Sequence, residues 1–246
     1  MLLLWAPAKA ATAQPMDPMA ARLSAERLAG IDPGEYMAGD SLGFSLVPYG
    51  DKYLLRFDGS AERYVLTVER VLLGGRVLLY DTGATAIRVS VWGGMTLYTA
   101  DAPDGLPATR VGDITAPPRA PVSRADLVGA LSDEAGHLAY TRNLHLRFTV
   151  QPGVLSGGDD IRSVAFDALV SAAAGIERLL ASPGGLAAVQ KTFNTVKLVE
   201  SDHPGVTLSG KTLEVGFAPL AGVAGNASSR EVAYTLGKML SVSEPG

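Results

Sequence analysis

Cysteine is absent from the 246 residues. With it go disulfides, thiolate metal sites, a cysteine nucleophile and a lipidated amino-terminal cysteine. The compartment stays open, because exported proteins also do without cysteine. Histidine is scarce: His137, His145 and His203 are the only three, and their spacing fits no metal-ligand pattern. No metal and no cofactor is expected. A basic excess is lacking too. Lys and Arg number 21 against 25 Asp and Glu, a formal net charge of -4, so nucleic acid is not the expected partner. No internal run reaches the roughly 18 apolar residues that a membrane-spanning helix needs. There is no G-x-S-x-G elbow, which leaves a serine hydrolase without support.

What is present is globular in character. Hydrophobic residues make up 47% and charged residues 19%, enough for one large domain or two small ones rather than a disordered chain. Leu2, Leu3, Leu4, Trp5 and Ala6 form a short apolar core. Ala11-Thr12-Ala13 follows as an A-x-A cleavage site before Gln14. Residues 1–13 thus read as the back half of a secretory signal peptide without its basic leader. The expected location is the periplasm or outside the cell.

Beyond it, residues 14–40 are expected to be a helical segment, with a short amphipathic helix over 19–28. From 41 to 100 β signals dominate. Branched and aromatic runs at 42–47, 52–57, 63–69, 76–80, 87–92 and 95–99 are separated by Gly-, Asp- and Ser-rich turns. Close spacing with short turns predicts antiparallel meanders, folded as a small sheet or a partly open barrel. Five prolines between 101 and 122 predict an extended connector. Residues 123–246 change character. Ser123 caps a helix to about Tyr140, 144–150 alternates as a strand, and Asp159-Asp160 open a long helix ending at Ser182-Pro183-Gly184-Gly185. A short helix to Phe193 follows, then strands at 195–200, 206–208 and 212–217. Ser228 and Glu231 make a capping box for a last helix to about Leu240. The expected class is α+β, with a two-layer α+β carboxy-terminal half.

Two motifs carry chemistry on paper. Gly205 to Thr212 matches the G-x-x-x-x-G-K-S/T pattern of a phosphate-binding loop. That loop needs a helix opening at the Lys, whereas here Leu213, Val215 and Phe217 alternate and Pro219 follows. A hairpin turning at Ser209-Gly210 with Lys211 in solvent accounts for every residue. Asp81-Thr82-Gly83 resembles the active-site loop of single-lobe, retroviral-type aspartic proteases. In that chemistry two facing Asp carboxylates share one proton and activate water. One motif per chain would require a homodimer, with Asp81, Thr82 and Gly83 from each subunit and Leu127-Val128-Gly129 as the only candidate for the family's second element. The plainer reading is a β-turn. Asn226-Ala227-Ser228 fits a glycosylation acceptor, and 222–226 reads as a glycine-rich connector.

Several stretches resemble an uncharacterised family of alphaproteobacterial exported proteins, filed as a domain of unknown function. They are Asp58-Gly59-Ser60-Ala61-Glu62 with Val65-Leu66, Trp92 through Thr99, Asp104 through Ala108, 206–215, 221–225 and Ser228-Ser229. The resemblance implies no activity, cofactor or substrate, and it makes the Asp-Thr-Gly match accidental. The expected function is that of a non-catalytic envelope or periplasmic accessory protein that binds an envelope protein or a small ligand. A dimeric aspartic protease is the alternative, and a nucleotide-binding loop comes last.

Overall fold

Eight short strands joined by tight turns close on themselves in the first half of the chain. The computed structural model describes residues 31–114 and 121–242. The expected signal peptide and the helix over 19–28 lie outside the described residues. The strands are β1 (Gly34–Ala38), β2 (Leu42–Tyr49), β3 (Lys52–Phe57), β4 (Tyr64–Arg70), β5 (Arg76–Leu79), β6 (Thr85–Val89), β7 (Met95–Leu97) and β8 (Leu106–Gly112). Each pairs antiparallel with the next, and β8 pairs back onto β1, so the sheet is a closed barrel. Closure leaves no strand edge open to another chain.

This half was expected to be a small antiparallel sheet or a partly open barrel, and the barrel is closed. What closes it are two strands in stretches read otherwise. β1 lies in the segment read as helical, and β8 lies in the stretch read as a proline-rich connector. β1 escaped because five residues beginning with Gly carry little β signal. Its Glu35 points outward between the buried Gly34 and Tyr36. β8 escaped because Pro107 lacks an amide. The barrel tolerates it: Pro107 sits opposite Thr96, and its carbonyl accepts the Gly39 amide at 2.9 Å. Further along, β6 stops at Val89, so Val91 and Trp92 fall in the β6–β7 turn rather than in a strand.

Alternate residues point inward and fill the barrel. Phe44, Leu46, Leu55, Leu66, Leu78, Ile87 and Leu97 are fully buried. A line of aromatic contacts crosses the interior: Tyr36 stacks on Phe44 at 5.3 Å, and Tyr64 meets Tyr80 edge-on at 5.3 Å. An eight-stranded barrel is just narrow enough for side chains to fill it. Here they do.

The second half is α+β. Its sheet runs β11-β12-β10-β9, built from β9 (Arg147–Val150), β10 (Thr195–Glu200), β11 (Gly205–Ser209) and β12 (Thr212–Phe217). β10 is parallel to both β9 and β12, while β11 and β12 form an antiparallel hairpin. The helices are α1 (Arg124–Arg142), α2 (Pro152–Ser156), α3 (Asp159–Leu180), α4 (Gly185–Thr192) and α5 (Ser229–Leu240). Val196, Leu198, Leu213, Val215 and Phe217 alternate to one buried face, against which the helices pack, so the half has two layers. α3 is the central helix and touches α1, α2, α4 and α5. Where it crosses α5 it presents Gly175. A Cβ there would stand 2.6 Å from the Val232 Cβ, so only glycine permits this approach.

Candidate functional site

The β3–β4, β5–β6 and β7–β8 connections all lie at one end of the barrel, because antiparallel strands put alternate turns at alternate ends. That end meets α3 and the amino terminus of α5. The first residues of a helix carry amide groups without intrahelical acceptors. At α5 the barrel supplies acceptors. Asp81, in the turn after β5, accepts the Ser228 amide at 2.7 Å on one carboxylate oxygen and the Ser228 hydroxyl at 2.6 Å on the other. Glu62, just before β4, accepts the Ser229 amide at 2.7 Å and the Ser229 hydroxyl at 2.9 Å. The Tyr64 hydroxyl also donates to Glu62, at 2.5 Å. Two carboxylates thus sit at the positive end of α5, where the helix dipole favours them.

Arg178 of α3 completes the network. Its Nε donates to the Ser229 hydroxyl at 2.9 Å and its guanidinium to the Tyr64 hydroxyl at 3.2 Å. Glu62 and Arg178 are therefore coupled through two hydroxyls. The Arg63–Asp167 ion pair at 2.8 Å and the Tyr49 hydroxyl on the Ala221 carbonyl at 3.0 Å tie the halves together elsewhere.

The capping box expected at Ser228 is half formed. The Ser228 hydroxyl accepts the Glu231 amide at 3.3 Å, but Glu231 turns to Thr235 and the Ser228 amide goes to Asp81. The reciprocal capping carboxylate comes from the barrel rather than from the helix itself.

Burial, then the Glu62 charge and its hydrogen bond, push the Tyr64 hydroxyl up to about 12. Burial first and then Tyr36 push Tyr53 to about 12 as well. A phenol with a raised folded-state pKa gives stability that is whole below its unfolded value near 10 and is lost as pH climbs toward 12. Alkaline titration of the folded fraction should show a loss of stability across pH 10 to 12. In Tyr64→Phe part of that loss should vanish, although the variant is less stable at neutral pH. An unchanged pH slope would show that Tyr64 ionises freely.

Above the network lies a cleft of about 360 Å³, walled by Leu42, Phe57, Tyr64 and Tyr80 on the barrel side and by Ala174, Arg178 and Arg230 on the helix side. It adjoins a recess of about 370 Å³ that holds Arg88 and Tyr98, and Thr99 and Arg230 line both. The Arg230 guanidinium lies 4.2 Å from the Tyr80 ring centroid, and Arg88 lies 6.0 Å from that of Tyr98. Among the described residues, neither has a carboxylate within ion-pair distance. Asp101 also reaches the cleft wall.

The residues singled out in the sequence fall as follows. Asp81, Thr82 and Gly83 occupy the β5–β6 turn, with Gly83 at a φ of 81° and the Thr82 hydroxyl accepting the Ala84 amide at 3.4 Å. Leu127-Val128-Gly129 sits inside α1. Gly205 to Thr212 spans β11, the turn and the start of β12, with no helix after Lys211. Lys211 is exposed at the hairpin turn, where its ammonium donates to the Lys191 carbonyl at 2.5 Å in the last turn of α4. His137 pairs with Glu177 at 2.9 Å, while His145 and His203 are exposed. The amide atoms of Asn226 are buried, which closes its acceptor motif to a glycan. Among the described residues there is no metal-binding cluster, and no helix is long and apolar enough to cross a membrane. Glu62, Arg178, Ser229, Arg230 and Arg88 were not foreseen as site residues.

A family model described as Domain of unknown function (DUF4908) matches residues 16–236. No curated protein and no solved structure matches the chain.

Proposed function

The chain belongs to the DUF4908 family, and from that starting point we propose that it is an exported accessory protein that binds a small organic acid at the barrel–helix seam. Arg230 carries the reading. Its guanidinium is held over the Tyr80 ring between two adjoining recesses, with its charge unmatched by a carboxylate. Arg178 already donates to Ser229 and Tyr64, whereas Arg230 and Arg88 have no carboxylate partner among the described residues, so those two are the groups placed to take an anion. Leu42, Phe57 and Tyr80 supply an apolar wall for the rest of the molecule. A concave, mostly apolar pocket with few convergent polar groups is the usual form of a small-ligand site. A guanidinium suits a carboxylate for its fork of donors.

The protease alternative gains nothing from this geometry. Both Asp81 carboxylate oxygens are engaged by Ser228 of the same chain, whereas a shared-proton dyad needs them turned to a second carboxylate. The phosphate-loop alternative fails on the strand that follows Lys211.

The test uses protein secreted to the periplasm of a bacterial host, whose amino terminus should begin near Gln14 if residues 1–13 are cleaved. Thermal unfolding is then followed against a panel of aromatic and aliphatic carboxylates at millimolar concentration. A ligand present at a hundred times its Kd stabilises by about 2.7 kcal/mol, so a clear rise in Tm is expected for at least one acid. Arg230→Gln should abolish the rise while leaving the unliganded Tm near that of the parent. No stabilisation by any acid, or the same stabilisation in Arg230→Gln, would sink the proposal.

A further inference from the structure

The two adjoining spaces at the seam differ in charge. The cleft wall carries two acids, Glu62 and Asp101, beside its arginines. The recess next to it carries none. Its wall holds Arg88 and Arg230 together with three hydroxyl-bearing side chains, Thr85, Tyr98 and Thr99. The Thr99 hydroxyl accepts the Ala102 amide at 3.1 Å, which leaves its own proton to donate.

Two guanidiniums in one small space repel each other unless an acid stands between them. Here the nearby acids are placed or engaged elsewhere. Asp101 lines the cleft and not the recess. Asp81, three residues before Ala84 of the recess wall, has both carboxylate oxygens on Ser228. Glu231, beside Arg230 in the chain, accepts the Thr235 hydroxyl. Glu69 is on the same side of the ladder as Arg88, but Val77 lies between them. Two strand spacings put them about 10 Å apart. Both arginines are also held in place. Arg230 lies over the Tyr80 ring and Arg88 beside the Tyr98 ring. The Tyr80 hydroxyl draws on Arg230 as well, yet a guanidinium has five donors, and one packed on a ring keeps its edge for an anion.

A single negative charge would leave one of the two arginines unmatched. The cleft acids repel the charged end of a ligand, and the recess attracts it. We infer that the recess takes the head of the bound acid and that this head carries two negative charges, as a pair of carboxylates or a phosphate monoester. The apolar body then lies along Leu42, Phe57 and Tyr80 of the cleft. Thr99 and Arg230 line both spaces, so one molecule reaches across. This inference rests on the small-acid reading and gives Arg88 the part of setting specificity.

Three probes with a phenyl body differ in the head. They are 3-phenylpropanoate with one charge, benzylmalonate with two carboxylates, and 2-phenylethyl phosphate, whose head carries about -1.5 to -2 near neutral pH. In calorimetric titrations at low salt, at least one dianion should bind about tenfold tighter than 3-phenylpropanoate, the worth of one added charge-assisted contact. The tighter of the two dianions tells a carboxylate pair from a phosphate. Arg88→Gln should erase the preference, and Arg88→Lys should keep part of it. Arg88 is exposed, so the unliganded Tm of both variants should stay near that of the parent. Arg230→Gln should abolish binding of all three probes. If 3-phenylpropanoate binds as tightly as both dianions, or the preference survives Arg88→Gln, the double charge is overturned while the small-acid reading stands. Binding of none of the three overturns it too. The small-acid reading falls separately, on a wider panel in which no acid binds or Arg230→Gln has no effect.

Discussion

Glu62→Ala should unfold the protein roughly 10 °C below the parent, the largest loss of any single side chain in the polar network. Glu62 is 6% exposed and accepts three hydrogen bonds, from the Ser229 amide, the Ser229 hydroxyl and Tyr64. Removing it strands all three donors and leaves the Arg178 charge without the carboxylate that balances it through Ser229 and Tyr64. Breaking a buried charge network by removing one partner costs about 3–5 kcal/mol. At this chain length each kcal/mol lowers Tm by about 2–4 °C. Glu62→Gln should cost less, because the amide keeps one acceptor oxygen, but its NH₂ group meets a donor where a carboxylate oxygen stood. Asp81→Asn should cost only about 1 kcal/mol. Asp81 is exposed, so water can replace part of what is lost, and the remainder is an N-cap interaction and a favourable dipole term. The order Glu62→Ala, Glu62→Gln, Asp81→Asn is the result to check by thermal unfolding followed by circular dichroism. A Tm for Glu62→Ala within 2 °C of the parent would show that the clasp contributes little. The same series separates the functional readings. A catalytic Asp81 predicts an intact Tm with lost proteolysis in Asp81→Asn, whereas a helix-capping Asp81 predicts a small, measurable loss of stability.

What could be read in the sequence was local, and what escaped it was not. β3, β10 and β12 begin and end where alternation and turn residues placed them, because period-two patterning and a Gly-containing turn are written within a few residues of each other. Ser123 was recognisable as a cap, and its partner Asp126 lies three residues on, so the capping box there forms in full. Ser228 was recognisable as a cap for the same reason. Its true partner, Asp81, lies 147 residues away, and Glu62 lies 167 residues from Ser229. No local pattern announces such pairs. Barrel closure failed to show for a related reason. β1 and β8 are weak strands taken singly and become strands by pairing with each other and with β2 and β7. Asp81 did stand out in the sequence, but the chemistry suggested by Asp-Thr-Gly was that of a different context. The fold uses the carboxylate to hold a helix end.

The second large effect is expected at Gly175, where the same substitution should have opposite signs at different places in the fold. In an exposed helix interior, Gly→Ala gains about 1 kcal/mol through backbone entropy and helix propensity. Gly129 and Gly136 of α1 are exposed, and a Cβ at either would meet nothing within 4 Å. Gly129→Ala and Gly136→Ala should therefore raise Tm by a degree or more. At Gly175 the new Cβ would stand 2.6 Å from both Cβ and Cγ1 of Val232 and 2.9 Å from the Ser229 carbonyl oxygen. None of these is the free end of a flexible side chain, so α3 and α5 must separate. Overpacking of that kind costs about 1–3 kcal/mol, which outweighs the propensity gain. The displaced element also begins with Ser228 and Ser229, so separation draws the α5 terminus away from Asp81 and Glu62. Gly175→Ala should lose about 2 kcal/mol, and Gly175→Val should lose more. Because both act on one helix end, Gly175→Ala and Glu62→Ala should be less than additive: once the clasp is gone, moving α5 has less left to break. Val232→Ala removes the Cγ1 contact but keeps the Cβ, so it should restore part of the Gly175→Ala loss relative to Val232→Ala alone. Thermal unfolding of the six single and two double variants reads all of this. A Gly175→Ala protein as stable as Gly136→Ala would mean that the helices are free to part, and that the barrel carboxylates do not hold α5 in place.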